Sequence, residues 1–240
     1  MADRKTLPYQ DVKLPVNDPL MPLSQINALH GGYAQMMHDS YIAHRAAAVE
    51  RQRMDIDPPH RLKVARVARE QAILTIVLAG MTLESAVNAM GAHYFPGNRF
   101  RNATQRYSLR DTWQIMLQNA FGRAFREDSV VYKGMETLAQ NRNALVHNRA
   151  QQMALMDGAQ LEEAFKANRP GRLEEQARQA FEAVVTVSYA AHAMTPDPVE
   201  RPVLLQSYDL GQVPYLEEEF PADIWAEIVA VRESMSDAKY

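Results

Sequence analysis

The stretch DPPHRLKVARVAREQAILTIVLAGMTLESAVNAMGAH, residues 57–93, decides the fold. Its opening Asp57-Pro58-Pro59 reads as an N-cap followed by first-turn prolines, where a missing N–H costs nothing and the fixed φ suits a helix. Nothing breaks the pattern before His93, so the stretch predicts one long helix. Its most apolar run, Ala72 to Met81, is far shorter than the roughly 20 residues of a membrane-spanning helix. It predicts a buried core helix and no membrane partner.

Working outward, each flank supplies further helices. Residues 24–53 read as a helix, with Gly31-Gly32 marking a kink or break. Downstream, Ser108-Leu109-Arg110-Asp111 has capping-box spacing and starts a helix that Gly122 ends. Ser129 caps the next, through Met135, Leu138, Leu145 and Val146 to about Gln152, and another spans 172–194. Strand-like alternation is nearly absent, so the expected class is an all-α antiparallel helical bundle.

Proline placement divides the chain in the same way. Of 13 prolines, four lie in residues 1–23 and five in 195–240, and the four between them fall between periodic segments. Because proline removes a donor and clashes inside helices, residues 24–194 form the helical body. Residues 1–23 are then an irregular arm, and 195–240 an acidic, proline-containing tail with one helix at about 222–236.

Composition excludes several function classes. The 240 residues contain no cysteine, which removes disulfides, thiolate zinc sites and thiol nucleophiles. His30, His38, His44, His60, His93 and His192 show no metal-ligand spacing and read mostly as surface residues. No glycine-rich phosphate loop occurs, and the scattered aromatics do not form base-stacking platforms. The N-terminus lacks the apolar stretch of a secretory signal, so the expected compartment is cytoplasmic.

A net charge of −3 hides a polarised chain. Residues 95–150 hold nine Lys/Arg against four Asp/Glu, whereas 195–240 hold three against ten. A uniformly basic nucleic-acid coat is excluded, and a local basic surface at 95–150 is open. The tail, with Glu217-Glu218-Glu219, either lies over that surface, binds a separate protein partner or is simply solvated.

Chemistry concentrates on Gln140-Asn-Arg-Asn-Ala-Leu-Val-His147. Arg142 projects from the middle of an apolar stripe, a costly place for a cation unless a carboxylate meets it. Glu84, the lone acid between Gln71 and Phe95, is the expected partner in a mostly buried pair. Asn143 and His147, spaced i and i+4, lie side by side on the flank of the stripe.

This segment resembles the signature of the HEPN superfamily of helical proteins: an Arg, a polar residue, a spacer and then His. Met81-Thr-Leu-Glu-Ser-Ala-Val-Asn88 resembles the family's second-helix pattern, and Tyr107-Ser-Leu-Arg-Asp-Thr-Trp113 its short linking helix, in the expected order over residues 60–150. The resemblance implies a homodimer in which two copies of the Arg–His helix form one cleft that cuts RNA without a metal or other cofactor. Arg142, Asn143 and His147 would be catalytic, with Glu84 and Asn88 supporting. Its implied setting is phage defence or a toxin. Family toxins silenced by a nucleotidyltransferase antitoxin commonly carry Tyr two residues after the His; Arg149 stands there instead, which argues against that mode of control.

The residues leave two other readings open. Arg142 and Glu84 serve helix register alone in a helical interaction module, or the protein binds RNA or nucleotides without turnover.

Overall fold

The structure, a computed structural model, describes residues 12–15, 29–53, 55–146, 170–195, 215 and 217–236. Among them are seven α-helices and no strand: α1 (His30–Arg51), α2 (Pro58–Tyr94), α3 (Arg99–Thr104), α4 (Leu109–Phe121), α5 (Val130–Val146), α6 (Pro170–Met194) and α7 (Ala222–Ser236). The protein is an all-α helical bundle.

Local chemistry sets the ends of these helices. Asp57 accepts from the backbone N–H of His60 at 2.7 Å while Pro58 and Pro59 fill the first turn of α2. Ser108 caps α4 through the Asp111 N–H, and Gly122 closes it at φ 65°, a left-handed position that favours glycine. Ser129 accepts from the Tyr132 N–H at the start of α5. Gly31 and Gly32 fall in the first turn of α1, which is uninterrupted from His30, so the glycine pair marks a start and not a kink. Residues 24–28 and 147–152, included in the expected helices, lie outside the described residues.

At 37 residues α2 is about 55 Å long by its rise per residue, and α1, α3, α4, α5 and α6 all pack against it. By length and composition it is apolar enough to cross a membrane, a wider apolar window than Ala72–Met81 alone suggests, and over half of that window is buried in the bundle. Ile76, Ala79, Leu83, Ala86, Val87 and Met90 are almost wholly buried. α1 runs antiparallel to it: His60 meets Glu50 at 2.6 Å, and further along His44 Nδ1 meets the Ala68 carbonyl at 2.9 Å. α5 and α6 are likewise antiparallel, with Gly134 against Ala183 at one level and Asn141 bonded to Gln176 at another.

The segment that follows residue 195 is not a detached tail in its described part. Tyr215, Ile224, Ile228 and Met235 are buried in the common core, and the Tyr215 hydroxyl donates to Ser188 at 2.9 Å. α7 meets α1: Arg45 pairs with Asp223 at 3.6 Å and with Glu227 at 3.1 Å, and the Tyr41 hydroxyl donates to Glu227 at 2.6 Å. Asp223 and Glu227 of α7 thus meet a cation of α1, not the basic 95–150 stretch.

Four histidines expected at the surface are buried. His30, His38, His44 and His93 are each no more than 9% exposed. On α1 they occupy the inward face with Ala34, Met37 and Tyr41, at spacings of three and four. Burial lowers the pKa of His30, His38 and His44 below the ordinary 6.5, because desolvation disfavours the charged imidazole.

Candidate functional site

Two glycines on one face of α2 make the groove. Gly80 and Gly91 are eleven residues, three turns, apart and so point the same way. At Gly91 a Cβ would sit 2.0 Å from the Phe100 ring, so its absence lets α3 seat against α2, where Phe100 also stacks on Phe95 at 5.4 Å. At Gly80 a Cβ would sit 2.6 Å from Cδ of Arg142, so its absence lets the stem of that arginine lie across α2. Between the two glycines Glu84 and Asn88 project one turn apart, both exposed.

Walls rise on either side of this face. α5 contributes Leu138, Ala139, Arg142 and Asn143; α3 and the residues flanking it contribute Asn98, Arg101, Gln105 and Tyr107; Leu109 and Thr112 of α4 close the end. Together they bound a groove of about 700 Å³, a volume within the range of small-molecule sites. Residues of the segments 81–88 and 107–113 therefore meet Arg142 and Asn143 in one place, although 58 residues separate Glu84 from Arg142.

Arg142 donates from Nη1 to Glu84 Oε2 at 3.0 Å, which is the expected pairing. The expected burial is not found. Their side chains are 34% and 53% exposed, so the pair sits at the groove mouth in contact with solvent. The reason lies in α5 itself: Val131, Met135 and Leu138 are buried, but further along Leu145 is only partly buried against the core, and Asn141 turns to the amides of Gln176 and Gln179 on α6. Arg142 follows as a half-buried residue and Asn143 as an exposed one. His147 lies outside the described residues. Glu84, Asn88, Arg142 and Asn143 line the same groove.

The wall opposite α5 is held rigidly. Arg110 on α4 pairs with Glu136 on α5 and stands 5.0 Å from the centroid of the Tyr132 ring, tying the two helices together. Gln114 donates to the Phe125 carbonyl at 2.6 Å and accepts from its N–H at 2.7 Å, so a side-chain amide fixes the α4–α5 connection as a backbone partner would. Trp113 is fully buried beside Phe125. These contacts hold the groove walls in register before any ligand arrives.

Sequence reasoning missed α3 and with it Asn98, Arg101 and Gln105. A six-residue helix is too short to show a period, and the basic excess of 95–150 was its one visible trace. It also missed Gly80 and Gly91, whose signal was two glycines at an eleven-residue spacing inside an otherwise strong helix. Among the described residues no group of three or more His, Asp and Glu is placed to hold a metal ion.

Fold and groove together define an all-helical protein with a preformed, polar, partly cationic site. Comparison with protein-family models, with curated proteins and with solved structures finds no match to this chain.

Proposed function

We propose that the protein is an endoribonuclease of the HEPN type that cuts RNA by attack of its own 2′-hydroxyl, at a site shared by two copies of the chain. The observation that carries this reading is the convergence of Glu84, Asn88, Arg142 and Asn143 on one open groove.

RNA supplies both nucleophile and electrophile. The 2′-oxygen attacks the adjacent phosphorus, the bond to the 5′-oxygen breaks, and the products are a 2′,3′-cyclic phosphate and a free 5′-hydroxyl. One group must take the 2′-hydroxyl proton, another must protonate the departing oxygen, and the charge that builds on phosphate must be met. His147 is assigned the proton transfers, since imidazole titrates near neutral pH. Arg142 is assigned the phosphate, since its planar fork grips two oxygens. Asn143 orients phosphate or imidazole, and Glu84 holds the guanidinium in place from α2. The composite site calls for a homodimer with α5 at its two-fold interface.

Contact with Gly80 and Glu84 also suits an Arg142 that merely fixes the register of α2 and α5, which is how a non-catalytic interaction or RNA-binding module would use it. One experiment separates the two. Purified protein incubated with single-stranded RNA in EDTA is expected to leave 2′,3′-cyclic phosphate ends, and His147→Ala to abolish cleavage while the thermal midpoint stays unchanged. Full activity in His147→Ala would remove the catalytic assignment, and a chain that sediments as a monomer well above assay concentrations would remove the shared site.

A further inference from the structure

The groove has two cations, and they differ in how much of their charge is already committed. Arg142 is paired with Glu84, whereas Arg101, on the α3 wall, has no carboxylate within ion-pair distance among the described residues. Arg101 is exposed, so its guanidinium meets the groove hydrated.

α3 is built to present it. Phe100 and Thr104 are buried on one side of the helix, the first seated at Gly91 and the second donating its hydroxyl to the Phe100 carbonyl at 2.9 Å. Asn98, Arg101 and Gln105, spaced three and four apart, line the groove from its other side. A short helix with a pinned inner face thus holds one cation flanked by two amides against a polar cavity.

We propose that Arg101 is the phosphate-anchoring residue of this groove, and that Asn98 and Gln105 contact the sugar or base of the same nucleotide unit of a single-stranded RNA. The proposal rests on the ribonuclease reading for its substrate. Chemistry favours this assignment over Arg142 for ground-state binding. An unpaired guanidinium gains a charge-assisted bidentate contact without surrendering an existing one, whereas Arg142 must share itself with Glu84. Division of labour follows: Arg101 holds the substrate, and Arg142 meets the charge that develops on the scissile phosphate.

The test uses the full-length protein and a fluorescein-labelled single-stranded RNA carrying 2′-O-methyl groups, which binds without being cut. Loss of a charge-assisted phosphate contact in Arg101→Ala is expected to raise Kd about tenfold or more. The slope of log Kd against log salt should fall by about 0.7, the contribution of one single-strand phosphate contact. Arg106→Ala, which removes an exposed cation nearby that does not line the groove, is expected to leave Kd within about twofold, the size of a screened long-range effect. On unmodified RNA, Arg101→Ala should raise KM more than it lowers kcat. Equal effects of Arg101→Ala and Arg106→Ala would mean general electrostatics and overturn the anchor. Wild-type cleavage with unchanged Kd and KM in Arg101→Ala would overturn it while leaving the ribonuclease reading intact. A wild-type protein that neither binds nor cuts RNA would end both.

Discussion

Two grooves of similar size lie on this molecule, about 700 Å³ at the α2–α5 face and about 610 Å³ between α5, α6 and α7. In the second, Arg178, Glu182 and Glu227 are paired within the protein, and Lys133 is the charged lining residue without an ion pair among the described residues. Arg178 is held by Glu175 and Glu182, and Glu227, which lines the same groove, is taken by Arg45 and the Tyr41 hydroxyl. In the first, one ion pair sits at the mouth and a second cation is unpaired by any described carboxylate. Volume is therefore a poor guide by itself. What separates a candidate site from a packing seam is whether its hydrogen-bonding and charge capacity is already used.

The glycines of α2 give the hardest test of that contrast. Gly91→Ala would place a methyl group inside the buried Phe100 ring, and the resulting overpacking should cost about 1–3 kcal/mol. That exceeds the roughly 0.5–1 kcal/mol alanine gains over glycine in a helix. Gly80→Ala meets only the flexible stem of Arg142, so stability by urea unfolding should barely change while RNA binding and cleavage fall as the guanidinium is pushed aside. Equal destabilisation by both substitutions would mean that the groove floor is as rigid as the core.

A pH series addresses the opposite face. His30, His38 and His44 of α1 have folded pKa values below the unfolded 6.5, chiefly through desolvation, with Asp39 opposing the shift at His38. The unfolded chain then binds more protons as pH falls below about 6.5, so stability is fully present above that value and is lost toward lower pH. His38→Phe, which replaces an imidazole tilted against Phe220 at 4.3 Å between ring centroids, should flatten the slope of the urea midpoint between pH 7 and 5. An unaltered slope would show that His38 is not among the residues taking up those protons.

The smallest effect is expected at Glu84. Because its pair with Arg142 is substantially exposed, Glu84→Ala should cost no more than about 1 kcal/mol, not the 3–5 kcal/mol of breaking a buried pair. Its consequence should appear in activity, as a misplaced Arg142. A large fall in thermal midpoint would restore the buried-pair picture that the periodicity of α5 suggested.

That discrepancy shows where sequence stops being legible. Helix ends at Asp57, Ser108, Gly122 and Ser129 were readable, because capping is chemistry between residues three or four apart. So was the partner of Arg142, because few acids were available on the right helix. Its exposure was not, since that depends on where α5 parts from α6 and on the missing side chain at Gly80. The inward histidines of α1 were legible in principle: His30, His38 and His44 share a face with Ala34, Met37 and Tyr41. Spacing tested only for metal ligation passed over that pattern.

A final consequence follows from Asn119 of α4. Its amide accepts from the Leu14 N–H at 2.7 Å and donates to the Val12 carbonyl at 2.9 Å, so one side chain stands in for a strand neighbour to residues 12–15. The junction joins residues more than 100 positions apart in sequence, with Val12 and Leu14 half-buried against the core. Among the described residues this stretch is held to α4 by one side-chain amide and packs on the core through two half-buried apolar side chains, so the contact is expected to open before the core helices do. The Leu14 amide should exchange with solvent deuterium well before those at the centre of α2, which makes it a reporter of opening at the C-terminal end of α4, away from the groove.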